Sequence, residues 1–162
     1  MVRKKPYTPA RNQRLDPELY TDPNRVYFMT IRAFSGQSPF VRDDLNRLVL
    51  DILQGEQERY GCAVLTYCLM PDHLHFLVSP RDDGVSVLTF VDRFKGKSTN
   101  ASWKLGWKGK LWQPRCYDHI VRTDENLLAI AQYILDNPLR QGLVDADADW
   151  PWGGHFNPLP YA

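Results

Sequence analysis

Hydrophobic residues recur along this chain with two different spacings, and each spacing predicts a type of secondary structure. Short runs rich in Val, Ile, Tyr, Phe, Thr and Leu lie between turn-forming residues, which is typical of β-strands. A proline and an aspartate separate the second run from the third, so these two are expected to pair as a hairpin. The predicted extended segments are 25–34, 62–70, 73–78 and 112–122.

Other segments carry their apolar residues at intervals of three and four, which predicts amphipathic helices. The first covers 42–60. A second is expected to start near Ser86 and to end before Gly106. A third helix is expected to begin after Thr123, which would be its N-cap. It is expected to end at Asp136, because a proline follows at 138.

The order of these elements is strand, helix, strand, strand, helix, strand, and then an added helix. This order predicts an α+β fold, a ferredoxin-like sandwich in which an antiparallel sheet has helices on one face. The other face would be open for a site. We divide the chain into a basic, proline-containing arm at 1–24, a domain at 25–144 and an irregular Trp/Pro-rich tail at 145–162.

Composition supports one globular domain and argues against membrane or secreted classes. The 162 residues are 43% hydrophobic and 24% charged, as in ordinary globular proteins. The apolar runs are too short for a membrane helix or a signal peptide, so we expect a cytoplasmic protein that contacts no membrane. The three cysteines form no C-x-x-C pair and suggest neither a disulfide framework nor a zinc site.

Charge is unevenly distributed, although the formal net charge is only +1. Residues 1–14 and 93–115 contain basic residues and no acidic ones. Three tryptophans, at 103, 107 and 112, lie within the second stretch, and this combination favours a polyanion with exposed bases over a chance cluster of solvated lysines. The expected DNA-binding residues are Arg3, Lys4 and Lys5 in the arm and Arg93, Lys95, Lys97 and Lys104 on the second helix.

A pair of histidines lies in the third predicted strand. His73 and His75 are two residues apart, so they point to one face, while Leu74 and Phe76 point to the other. Two neighbouring imidazoles on a rigid strand can bind one divalent cation. Taken alone, however, a His-x-His spacing is weak evidence, because it more often belongs to two surface or hydrogen-bonded histidines that bind no ligand.

A second pair of polar residues ends the last predicted helix. Tyr133 and Asn137 are four residues apart and therefore share a helix face. Each has a structural explanation, since the tyrosine could fill the core and the asparagine could end the helix before Pro138. Together with the histidines, however, they form a specific constellation.

The chain resembles a known family in three motifs. Residues 67–75, YCLMPDHLH, are similar to the His-hydrophobe-His signature of the HUH single-strand nucleases. Residues 112–119, WQPRCYDH, and 133–144, YILDNPLRQGLV, resemble the REP-associated tyrosine transposases. The similarity covers about 25–152. The chain departs from the family at Leu135 and Gln141, where many relatives have histidine and alanine.

This resemblance implies a fold, a reaction and a set of roles. In such enzymes the equivalents of His73, His75 and Asn137 hold Mg²⁺ or Mn²⁺ against the scissile phosphate of single-stranded DNA. The equivalent of Tyr133 attacks, which leaves a 5′-phosphotyrosine and a free 3′-hydroxyl. The implied substrates are palindromic repeats that fold as hairpins. His119 is an accessory candidate, as a proton acceptor, a phosphate contact, a third ligand or a structural residue.

Two other functions remain open at this level. A host DNA-binding protein or repressor could keep the fold without transferring strands. A metal-dependent phosphodiesterase could use water as the attacking group, so that Tyr133 would be structural. The sequence leaves the target DNA sequence undefined, and both a monomer and a homodimer remain possible.

Overall fold

The computed structural model describes residues 16–160. Its regular elements are β1 (Tyr27–Arg32), α1 (Asp43–Tyr60), β2 (Cys62–Met70), β3 (His73–Pro80), α2 (Val87–Trp103), β4 (Tyr117–Ile120), α3 (Leu127–Leu135), α4 (Asn137–Arg140) and β5 (Gly153–His155). Short 3₁₀ turns occupy Pro17–Tyr20, Phe34–Gly36 and Pro39–Val41. Within the described residues the strands form one antiparallel sheet in the order β4-β1-β3-β2-β5.

The predicted α+β sandwich is confirmed, and most predicted elements lie where the patterns placed them. β2 has the predicted bounds, and it pairs with β3 as a hairpin. α1 begins one residue later than expected, and α2 begins after Ser86, whose hydroxyl accepts a hydrogen bond from the Thr89 amide. The fourth extended segment is shorter than predicted, with β4 confined to four residues.

The main core lies between the sheet and the layer formed by α1 and α2. Leu74, Phe76 and Val78 of β3 point into it and are fully buried. Phe90 and Phe94 of α2 pack against the same cluster. Each such side chain contributes about 1.5–3 kcal/mol by leaving water. The alternating residues of β3, including both histidines, therefore point away from this core.

The opposite face of the sheet is covered in part by α3, so it is less open than predicted. Ala131 and Ile134 of α3 pack there on Leu65, Cys68 and other residues in a smaller apolar cluster. A change of register in β2 between Val64 and Tyr67 interrupts the simple alternation of this strand. Both faces of β2 are buried, because Val64 and Leu69 belong to the main core while Leu65 and Cys68 contact the cluster that includes α3.

Two predictions about the last third of the chain were wrong. Asn126, and not Thr123, is the N-cap of α3, because the Asn126 side chain accepts a hydrogen bond from the Ala129 amide at 3.1 Å. The tail contributes an edge strand where irregular structure was expected. β5 pairs with β2, and the Trp150 indole donates a hydrogen bond to the Leu69 carbonyl at 2.9 Å.

Two further predictions concern the cysteines and membrane-spanning helices. Cys62, Cys68 and Cys116 are buried and form no disulfide within residues 16–160, and burial raises the pKa of both Cys62 and Cys68 to about 12. No helix within residues 16–160 has the length and hydropathy needed to cross a lipid bilayer.

Candidate active site

The two histidines of β3 meet each other on the α3 side of the sheet. The Nε2 atoms of His73 and His75 lie 3.0 Å apart, and the ring planes are inclined at 77°. Because the residues alternate with core residues of the same strand, the strand is anchored on one face and presents both imidazoles on the other. The two rings thus face one point.

The opposite nitrogen of each histidine is held by a second polar group. His73 Nδ1 lies 2.6 Å from Asp72 Oδ1, and His75 Nδ1 lies 2.8 Å from the Thr30 hydroxyl. Asp72 precedes His73 in the hairpin turn, whereas Thr30 is on β1, directly opposite His75 in the sheet. These partners orient both rings with Nε2 inward, in the way that outer partners orient metal-binding histidines.

Asn137 completes this cluster from the first residue of α4. Its side chain is buried, and Nδ2 lies 3.2 Å from His73 Nε2. An amide oxygen and nitrogen are interchangeable by a rotation of the side chain, so Asn137 can present its oxygen to the same point. Residues 16–160 contain no group of three His, Cys, Asp or Glu side chains arranged for a metal, so the donor set is two imidazoles and one amide.

This donor set fits a divalent cation. Neighbouring ligands of an octahedral ion with bonds of about 2.1 Å lie about 3 Å apart, which matches the spacing of the two Nε2 atoms. Imidazole nitrogen and amide oxygen both serve as ligands to first-row divalent ions. A neutral imidazole is required, and burial, followed by the charges of His73, Arg32 and Arg140, lowers the pKa of His75 to about 3.

Tyr133 lies on the exposed side of α3 and does not fill the core. Its side chain is 55% exposed. The Arg140 guanidinium lies 3.7 Å from the centre of its ring, and Arg140 Nη1 donates a hydrogen bond to the Tyr133 carbonyl at 2.7 Å. The helical chain breaks at Asp136, so Tyr133 and Asn137 belong to two successive helices.

A groove of about 670 Å³ connects the tyrosine with the histidine cluster. Tyr133 and His75 both line it, and β1 contributes Phe28, Thr30 and Arg32 to its floor. An aromatic floor beside polar and cationic groups suits an unpaired nucleotide, in which a base and a phosphate are adjacent. The sequence patterns did not identify the β1 residues, because their contribution depends on the pairing of β1 with β3.

His119 also lines this groove, at some distance from the histidine pair. It is on β4, and β1 lies between β4 and β3, which separates the backbones by about 10 Å. His119 Nε2 lies 2.9 and 3.1 Å from the two oxygens of Glu125. The structure therefore places His119 beside the groove and does not bring it into the cluster of His73, His75 and Asn137.

Glu125 is a groove residue that the sequence analysis missed. It also accepts a hydrogen bond from the Arg122 amide, which is the main cause that lowers the pKa of its carboxyl group. A weak signal was present, since an acidic residue follows His119 at a distance that a tight turn can close. Arg140 was missed as well, because it belongs to α4, a helix that the sequence analysis did not predict.

The basic residues of α2 lie on the other side of the sheet from the histidines. Arg93 Nε is 3.3 Å from Glu56 Oε2, and Lys97 forms an ion pair with the same carboxylate, which is 2% exposed. Lys95 is on the same helix, and Lys104 is its C-cap. Their role in DNA binding stays a prediction, and Arg3, Lys4 and Lys5 lie outside the described residues.

The tryptophans of the basic stretch differ in accessibility. Trp103 is half exposed, but Trp112 is buried, and its indole donates a hydrogen bond to Ser98 Oγ at 2.8 Å. Trp112 packs between Phe40 and Phe94. The expectation that Trp112 stacks on a base was therefore wrong, because its ring is part of the core.

Comparison with known proteins gives a family match and related sequences. The family model described as "Transposase IS200 like" matches residues 37–137. The "Putative REP-associated tyrosine transposase" of Haemophilus influenzae is 26% identical over 137 residues, which cover 78% of this chain and 77% of that protein. The "REP-associated tyrosine transposase" of Escherichia coli K12 is 24% identical over 128 residues, which cover 78% and 74%.

A solved structure shares the fold. It is a REP-associated tyrosine transposase bound to a REP hairpin, and it superposes with a TM-score of 0.70 at 21% identity. The superposition covers 83% of this chain and 78% of that one. A crystal structure described as that of a "putative transposase" from Deinococcus radiodurans gives a TM-score of 0.51 at 22% identity, covering 68% of this chain and 88% of that one.

Proposed function

The chain belongs to the family of IS200-like transposases, and on this premise we propose that it cleaves and rejoins single-stranded DNA with Tyr133 as nucleophile and a divalent cation, Mg²⁺ or Mn²⁺, as cofactor. The observation that supports this most directly is the shared groove. His75, which belongs to the cluster of His73, His75 and Asn137, lines the same groove as Tyr133.

The reaction follows from the chemistry of a phenol and a phosphodiester. The Tyr133 Oη attacks phosphorus, the new O–P bond forms as the P–O3′ bond breaks, and the phenolic proton is lost. The leaving 3′ oxygen takes up a proton. The products are a 5′-phosphotyrosine and a free 3′-hydroxyl, and attack by another 3′-hydroxyl reverses the step and joins two strands without ATP.

The residues of the cluster and their hydrogen-bond partners have distinct tasks in this scheme. Asp72 and Thr30 fix the two imidazoles with Nε2 directed inward, and Asn137 adds its amide from α4. When bound there, the cation would polarise a phosphate oxygen as a Lewis acid. The half-exposed position of Tyr133 leaves its hydroxyl accessible to a strand that enters the groove.

The substrate we propose is a DNA hairpin with an unpaired flank, as formed by palindromic repeats. A single strand can place a base on the aromatic floor and a phosphate beside the cations, whereas the bases of a duplex are stacked inside. The solved relative bound to a REP hairpin is consistent with this substrate class. Lys95, Lys104 and the arm residues Arg3, Lys4 and Lys5 would contribute contacts to the backbone, in a monomer or a homodimer.

A covalent adduct on a denaturing gel tests the proposal. The protein is incubated with a hairpin oligonucleotide that carries a label on the 3′ side of the cleavage site, in Mn²⁺. We expect a labelled protein band that is absent with Tyr133→Phe at every Mn²⁺ concentration. His73→Ala should lower its yield, with partial recovery at high Mn²⁺, because this variant loses a ligand but keeps the nucleophile.

Tyr117→Phe is the matched control, because Tyr117 is another exposed tyrosine of the groove. The Tyr117→Phe variant should still form the labelled covalent adduct. Cleavage by Tyr133→Phe with release of a 5′-phosphate would identify water as the attacking group and support a phosphodiesterase. Tight hairpin binding without any cleavage would support a DNA-binding host protein.

A further inference from the structure

Two arginines flank the histidine cluster, and neither is part of the metal site or the nucleophile. We propose that Arg32 and Arg140 form a clamp that binds the scissile phosphate. The inference rests on the proposed function, since it assigns a place to the phosphate that Tyr133 would attack.

Arg140 reaches the site from α4. Its guanidinium carbon lies 3.7 Å from the centre of the Tyr133 ring, and Nη1 donates a hydrogen bond to the Tyr133 carbonyl at 2.7 Å. The remaining donors of the planar group stay available for an anion. A group held against the nucleophile in this way is close to any phosphorus that the nucleophile can reach.

Arg32 reaches the site from the sheet. It is the last residue of β1 and lies opposite His73 in the pairing of β1 with β3. Its neighbour Ile31 is buried in the main core, so Arg32 points to the histidine face and lines the groove that Tyr133 also lines.

Within residues 16–160, Arg32 and Arg140 lack the carboxylate partners that several other arginines have. Arg25, Arg42, Arg93 and Arg122 each form an ion pair with an aspartate or glutamate. Within residues 16–160, no carboxylate lies at ion-pair distance from Arg32 or Arg140. Two unneutralised guanidinium groups beside two histidines favour the binding of an anion.

A phosphodiester fits this arrangement chemically. Guanidinium groups donate charge-assisted hydrogen bonds to non-bridging phosphate oxygens, and the planar fork matches their spacing. Additional negative charge develops on these oxygens during attack, so the clamp would bind the transition state more strongly than the ground state. Arg140 would in addition hold the Tyr133 ring in place.

The test compares a charged linkage with an uncharged one at the scissile position. Tyr133→Phe protein, which does not cleave, is titrated with a hairpin that carries at the scissile position either a phosphodiester or an uncharged methylphosphonate. We expect the charged linkage to bind about tenfold more tightly, and this preference to be lost when Arg32→Gln or Arg140→Gln is added. Arg59→Gln, which removes an exposed charge from α1, should retain the preference.

Cleavage by otherwise unmodified protein gives a second readout. Single-turnover cleavage of the phosphodiester should slow about 100-fold in Arg140→Gln and less in Arg140→Lys, which keeps the charge. Circular dichroism and thermal melting identify any variant that fails to fold, and Arg140→Lys then carries the test.

The two proposals fail in different ways. Equal binding of the two linkages by Tyr133→Phe protein, or an undiminished preference in the glutamine variants, would overturn the clamp. Absence of a covalent adduct with the unmodified protein would overturn the proposed reaction, while the binding titration would still decide whether the arginines hold a phosphate.

Discussion

Thr30 and His75 are 45 residues apart in the chain, yet the Thr30 hydroxyl lies 2.8 Å from His75 Nδ1. The contact exists because β1 pairs with β3 in a register that sets these two residues opposite each other. It orients the His75 ring so that Nε2 points toward His73. Thr30 is therefore an outer partner of the proposed metal site.

Thr30→Val should weaken cation binding without removing a ligand. Valine has nearly the same shape but lacks the hydroxyl, so the imidazole loses its orienting hydrogen bond. We expect Mn²⁺ affinity to fall about 10- to 100-fold in a calorimetric titration. Thr30→Ser, which keeps the hydroxyl, is the control and should bind Mn²⁺ almost as the unmodified protein does. Equal affinities of the two variants would show that the contact does not matter.

His119→Ala should leave Mn²⁺ affinity unchanged. The side chain is bonded to Glu125 and lies on a strand that is not adjacent to β3. His75→Ala, measured in the same titration, should lose most of the affinity because it removes a ligand. A comparable loss in His119→Ala would make His119 a third ligand, against the geometry described above.

Lys97→Ala should affect stability more than it affects binding to DNA. Lys97 is paired with the buried Glu56 carboxylate, so its removal leaves that carboxylate with Arg93 as its ion-pair partner. We expect the free energy of unfolding in urea to fall by about 1–3 kcal/mol. The control is Lys108→Ala, which removes an exposed lysine and should change the free energy of unfolding by less than about 0.5 kcal/mol.

The salt dependence of hairpin binding shows whether the lysines of α2 contact DNA phosphates or pair within the protein. If Lys95 and Lys97 both met phosphates, the double alanine variant would lower the salt slope by roughly two units. Because Lys97 is engaged by Glu56, we expect a decrease of about one unit or less. A decrease of two units would show that Lys97 leaves Glu56 to bind DNA.

Asn126→Ala should destabilise the protein, and Thr123→Ala should not. The Asn126 side chain accepts a hydrogen bond from the Ala129 amide at the start of α3. Loss of such a cap lowers the free energy of unfolding by about 1 kcal/mol. Thr123 precedes the helix and makes no capping hydrogen bond to it in the described structure. Thermal melting of the two variants decides between the cap seen in the structure and the one the sequence suggested.

The parts of the fold that depend on local patterns could be predicted from the sequence. Strand alternation in 73–78 placed both histidines on one face, and helical spacing placed Leu45 and Val49 of α1 in the core. Residue types and turn signals sufficed there, because neighbouring residues determine which face of an element is apolar.

Features that depend on tertiary contacts could not be predicted in this way. Lys97 has the pattern of a solvated surface lysine, and its pairing with Glu56 requires α1 to lie beside α2. Trp112 lies in a basic stretch, as a base-stacking residue would, but it is buried against Ser98 and two aromatic rings. The short strand β5 has two glycines in three residues, and only its pairing with β2 makes it a strand.

His73 and Asn137 are 64 residues apart, and they meet only when α4 is packed against the hairpin. An unfolded chain therefore has no preformed cluster, so a cation bound there stabilises the native state selectively. At a hundred times its dissociation constant such an ion would add about 2.7 kcal/mol to the free energy of unfolding. The melting temperature of this protein should rise with Mn²⁺ concentration, which makes thermal stability a measure of site occupancy that needs no DNA.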